Sequence, residues 1–70
     1  MKIQVNGEKK EYDRSSITIL ELLELEKIDN VDMVSVQQNG EFVAKDDFAS
    51  THVIGDDEID FLFFMGGGQL

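Results

Sequence analysis

The 70-residue sequence contains no cysteine. That excludes a disulfide framework and any thiolate-based zinc site, and it fits the reducing cytosol, so the expected location is cytoplasmic. Proline is also missing, and neither a linker nor an internal repeat breaks the chain. The opening Met1-Lys2-Ile3-Gln4-Val5-Asn6 has no apolar h-region and does not read as a signal peptide. No hydrophobic run approaches the roughly 18 residues of a membrane span. Basic residues are scarce: 6 against 15 acids, for a net charge of −9. Such a balance argues against nucleic acid and anionic membranes as partners and makes a basic protein surface the better match. The length allows one small domain, which buries only about 60% of the surface its unfolded chain exposes. A thin core of that kind leaves little room for a deep catalytic pocket, so no enzyme activity, cofactor or metal is expected.

What remains is well patterned. Lys2-Ile3-Gln4-Val5 alternates with period two, as a strand with one wet face does. Asn6-Gly7 follows, a strong hairpin signal because both positions tolerate positive φ, and Glu8 to Tyr12 returns as a second strand. Thr18 and Glu21 stand at the spacing of a capping box. Ile19, Leu22 and Leu23 then lie on one helical face, and the helix is expected to end near Lys27. Val31 to Gln38 reads as a third strand, with Val34 and Val36 on one face and Met33, Ser35 and Gln37 on the other. Asn39-Gly40 repeats the hairpin signal before the short strand Glu41 to Ala44. Lys45 to His52 reads as irregular or as one helical turn, capped by Asp46, with Phe48 in the core. Gly55-Asp56-Asp57 is a turn. Glu58 to Phe64 forms the last strand, with Ile59, Phe61 and Phe63 inward and Asp60, Leu62 and Phe64 outward. One helix on a mixed sheet of four to five strands makes a two-layer α+β domain over residues 1–65. Residues 66–70 form a flexible glycine-rich tail. His52 reads as a surface residue, and the Asp46-Asp47 and Asp56-Asp57-Glu58 clusters read as solvated turns.

The tail Gly66-Gly67-Gly68 directly follows the apolar run Phe61-Leu62-Phe63-Phe64-Met65, with no polar spacer. A glycine-rich terminus is often simple disorder. Glycine also lacks a Cβ and can thread a narrow channel, and three extended residues reach about 10 Å. A partner enzyme holding the folded body could therefore draw this tip into its own active site. There, a terminal glycine carboxylate is sterically open to reaction with ATP and then with a sulfur nucleophile. The chain itself would be the substrate and not the catalyst.

Taken in order, several segments resemble the ThiS-type sulfur carriers of the ubiquitin-like β-grasp superfamily. They are Ile3 to Glu8, Thr18 to Leu23, Val34 to Val43, Gly55 to Asp57, and Ile59 to Gly68. The resemblance implies that a ThiF-like, ubiquitin-activating-type adenylyltransferase adenylates Gly68, with Gly66 and Gly67 entering its channel. It further implies that a cysteine desulfurase or sulfurtransferase supplies sulfur to make a thiocarboxylate, which passes to a ThiG-like thiazole synthase in thiamine biosynthesis. The activating enzyme of such carriers docks on an apolar patch of the sheet, for which Leu62, Phe64 and Met33 are the candidates.

One feature departs from that pattern. Gly68 is followed by Gln69 and Leu70 and so sits in a peptide bond, whose carbonyl cannot attack ATP. Some tailed relatives are trimmed by a JAMM-type zinc peptidase and serve amino-acid or siderophore pathways. Gln69-Leu70 thus reads as a short propeptide, with a cloning remnant as the competing reading. A carrier for another pathway, molybdopterin biosynthesis included, a ubiquitin-like protein modifier and a non-reacting binding module stay open as alternatives.

Overall fold

A computed structural model of the chain describes residues 1–63. Phe64, the glycines Gly66, Gly67 and Gly68, the Gln69-Leu70 pair and the boundary at residue 65 lie outside the described residues.

The first hairpin pairs β1 (Lys2–Val5) with β2 (Glu8–Glu11). Asn6 and Gly7 take φ values of 52° and 82°, the double positive turn that matches the twist of the flanking strands. A two-residue strand, β3 (Ile17–Thr18), leads into α1 (Ile19–Leu25). A 3-10 turn over Val31–Met33 precedes β4 (Val34–Gln38). Asn39 and Gly40 repeat the turn at 52° and 85° and return the chain as β5 (Glu41–Val43). Another 3-10 turn, Lys45–Asp47, and the short β6 (His52–Val53) come before β7 (Glu58–Phe63). The main sheet has the order β2-β1-β7-β4-β5, and β3 pairs with β6 in a separate two-stranded sheet. β1 and β7 run parallel at the centre, while the other pairs are antiparallel. The last strand among the described residues is therefore the middle strand of the sheet.

One face of that sheet is buried. Ile3 and Val5 of β1, Val34 and Val36 of β4, and Ile59 and Phe61 of β7 join Ile19, Leu22 and Leu23 of the helix in the core. Each fully buried aliphatic side chain contributes about 1.5–3 kcal/mol, which matters because a seven-residue helix is not stable alone. The helix ends are sealed locally. Thr18 Oγ1 accepts from the Glu21 amide at 3.1 Å, and the Glu21 carboxylate accepts from the Thr18 amide at 2.8 Å. That second bond holds the Glu21 carboxyl below the usual carboxylate range. At the other end Lys27 takes φ 61°, the Lys27 amide donates to Glu24 O, and the Ile28 amide donates to Leu23 O. This is a Schellman closure with lysine where glycine is usual.

Several boundaries differ from the sequence pattern. The third strand begins at Val34 and not Val31, because Val31–Met33 form the 3-10 turn. β3 and β6 are too short to produce any periodicity, yet Ile17 and Val53 in them are buried. Asp46 does not cap its turn: the N-cap is Ala44, with no side-chain hydrogen bond. Phe48 is in the core as expected. Tyr12 lies one residue past β2 and donates its hydroxyl to Glu26. Burial first, then that bond and the Glu26 charge, push the Tyr12 phenol well above its ordinary pKa.

Candidate functional site

The site is built around β7, whose two ends are held differently. Its start is clamped. The Asn39 amide donates to Glu58 O at 2.7 Å, and Asn39 Oδ1 accepts from the Glu58 amide at 2.9 Å. Asn39 Nδ2 donates to Asp57 Oδ1 at 3.0 Å. The other Asp57 oxygen accepts from the Ile54 amide at 3.0 Å and from Gln38 Nε2 at 3.1 Å. Partial burial alone would raise the Asp57 carboxyl, but these hydrogen bonds outweigh it and hold the pKa below the usual range. Asp57 is therefore a buttress joining two turns, a correction to its reading as part of a solvated cluster. On the other side of β7, Asn6 Oδ1 accepts from the Phe61 amide at 2.7 Å. Both Asn-Gly turns thus send their asparagine side chain to the same central strand.

The far end of β7 is open. Leu62 is 51% exposed on the solvent face of the sheet, opposite Ser35, as its alternation requires. Phe63 follows the expected register, opposite Val34 on the helix-covered face, but it too is 51% exposed. Its inward placement is therefore corrected, and the reason is length. A seven-residue helix spans about 10 Å, whereas six strand residues span about 20 Å, so the cover runs out before the strand does. Met33 is half-buried in its 3-10 turn and does not stand on a strand. Phe42, which the sequence reading left unassigned to a face, is 68% exposed opposite Gln37, on the same solvent face as Leu62. The signal for it was present: Val43 is an obvious core residue, and its neighbour must point away. Among the described residues, Phe42 and Leu62 are thus the large exposed apolar side chains on that face.

His52 is exposed in β6, and among the described residues no three potential ligands converge on a metal position. A depression of about 440 Å³ lies at the β1–β2 side, lined among others by Lys2, Lys9, Glu11 and Asp56. Three of the six basic residues, Lys2, Lys9 and Lys10, line it. No helix among the described residues is long and apolar enough to cross a membrane.

One helix laid across a mixed sheet, with the first and last strands parallel at its centre, is the ubiquitin-like β-grasp fold. The chain belongs to the ThiS family, whose model matches residues 3–68. The crystal structure of the thiamine biosynthesis protein ThiS from Geobacter metallireducens is similar, with a TM-score of 0.87 and 38% sequence identity. That likeness covers 97% of this chain and 100% of the other. A solution structure of a thiamine biosynthesis protein from Geobacter metallireducens gives a TM-score of 0.81 at 38% identity, over 100% of this chain and 91% of that one. No curated protein matches the chain with significance.

Proposed function

We propose that this chain is a sulfur carrier of thiamine biosynthesis, with the carboxyl of Gly68 as its reacting group. The observation that carries the reading is the extent of the ThiS match, which ends on Gly68, the third glycine. The Geobacter metallireducens proteins support the choice of pathway. In this reading residues 1–65 are the body that a partner grips, and residues 66–70 are the tail. The body is a substrate and supplies no catalytic group.

The chemistry follows from the carboxyl. Hydrolysis of the Gly68–Gln69 bond, by a JAMM-type peptidase, releases it. A carboxylate oxygen then attacks the α-phosphorus of ATP in a ThiF-like adenylyltransferase, and pyrophosphate leaves. A persulfide sulfur on a cysteine of the sulfur donor attacks the acyl carbon, and AMP leaves. A thiol then cleaves the acyl disulfide, forming a disulfide with the donor cysteine and releasing the thiocarboxylate. The resulting thiocarboxylate delivers its sulfur to a ThiG-like thiazole synthase. Glycine suits the step because no side chain crowds the acyl carbon. The grip falls on the exposed apolar face of Leu62 and Phe42, with Met33 and Phe64 as further candidates for contact. Aromatic and aliphatic groups exposed together on a small protein mark such surfaces, while the −9 charge favours encounter with a basic partner face.

The test is intact mass spectrometry of residues 1–68 with a ThiF-like enzyme, ATP and a sulfur donor. The expected result is the mass gain of one sulfur replacing one oxygen, with the 70-residue chain unreactive. Failure of the shortened chain to form either adenylate or thiocarboxylate would overturn the reading.

A further inference from the structure

β7 is flanked on both sides only along its first residues. β1 pairs with it at Gln4↔Glu58 and Val5↔Ile59, then turns away at Asn6-Gly7. β4 stays beside it as far as Phe63. Where β1 departs, the Asn6 amide still donates to Ile59 O at 2.9 Å. The next rung is made by a side chain, with Asn6 Oδ1 accepting from the part-buried Phe61 amide at 2.7 Å. A side-chain carbonyl thus continues the ladder one step beyond the point where the backbone of β1 ends.

Two demands meet at Asn6, and they are separable. The turn needs φ near 52°, a region open to asparagine, aspartate and glycine. The Phe61 amide needs an acceptor, which glycine lacks. The turn alone therefore does not explain the residue.

We propose that Asn6 is a positioning residue for the tail. It pins β7 at Phe61, so that Leu62 and Phe63 keep one fixed direction relative to the Phe42–Leu62 face. Beyond Phe61 the strand has a neighbour on one side only, and two-stranded ribbons twist more freely than sheets. A partner that must grip the face and receive the tail together loses affinity for every orientation the exit can otherwise sample. The functional half of this inference rests on the sulfur-carrier reading; the structural half does not.

The test uses residues 1–68 with Asn6→Gly, which keeps the turn and deletes the acceptor, and Asn6→Asp, which keeps both. In Asn6→Gly the Phe61 amide is expected to exchange at least about tenfold faster, with Val36 unchanged, marking local and not global opening. KM of the carrier for adenylation is expected to rise about fivefold with kcat nearly unchanged. Asn6→Asp is expected to restore both. Wild-type exchange and KM in Asn6→Gly would overturn the proposal, as would equal KM defects in the two variants. If the wild type is not adenylated at all, the carrier reading fails separately. Residual dipolar couplings of the Leu62 and Phe63 amides then decide: scrambled in Asn6→Gly, they uphold the positioning role; unchanged, they overturn it.

Discussion

The two ends of β7 are held in opposite ways. At the start, Glu58 and Ile59 are paired on both sides, and the Asp57–Asn39–Gln38 network binds the preceding turn to the β4–β5 hairpin. At the exit, Leu62 and Phe63 pair with β4 alone and expose half of their side-chain surface. The start is acidic around the single apolar Ile59 and the exit is apolar throughout, so hydrophobicity alone would bury the wrong end. Neighbours decide: a strand is fixed where it is flanked and covered, and it is available where it is not. Pairing and cover are concentrated at one end and leave the other exposed.

Breaking the locked end should cost most. Ile59 is fully buried, and Ile59→Ala is expected to lose about 2–4 kcal/mol through the cavity it opens. A chain of this length has only about 4–10 kcal/mol in all, so urea unfolding should show the midpoint falling sharply. Asp57→Ala comes next, at about 1–3 kcal/mol, because the Ile54 amide and two side-chain amides lose their acceptor. It also carries a pH signature. The folded carboxyl titrates below its unfolded value, so the unfolded state binds more protons in the interval between them, and stability rises with pH there. The contribution is full above about pH 4 and is lost as pH falls through the folded pKa. Acid titration of urea midpoints should therefore show a loss in the wild type that Asp57→Ala lacks.

A control away from both ends is Lys27→Gly. It relieves a left-handed lysine at the helix terminus and is expected to gain about 0.5–1 kcal/mol, read as a higher midpoint. At the open end, Leu62→Ser is expected to change stability by less than about 0.5 kcal/mol. Adenylation kinetics should nonetheless show a raised KM. A large loss of stability there would erase the contrast between the two ends.

Much of this was legible in the chain. Alternation at Ile3-Gln4-Val5 and Ile59-Asp60-Phe61 placed core residues correctly, and both Asn-Gly pairs marked hairpins with the dihedrals such turns require. Thr18 and Glu21 announced the helix start through a reciprocal pair of hydrogen bonds. What failed depended on distance in space. Phe63 has the right parity for burial, but parity says nothing about how far a helix reaches. β3 and β6 exist because Ile17 and Val53 meet across 36 positions of sequence, an encounter without local trace. Asp57 looked like one more surface acid, since its three hydrogen-bond donors come from Gln38, Asn39 and Ile54. The exposure of Leu62 was legible by alternation and that of Phe42 could have been, whereas Asn6's bond to Phe61 joins residues 55 apart and needed the assembled sheet.

The central place of β7 has a temporal consequence. β1 and β4 have nothing between them until the final strand is made, and synthesis runs from the N-terminus. A nascent or truncated polypeptide thus cannot complete its sheet, and long-range closure of this kind is among the later events in folding. Whatever follows Phe63 is consequently carried by the very segment that completes the body. In the proposed carrier role, an enzyme recognising both together would check, in one binding event, that its client has finished folding.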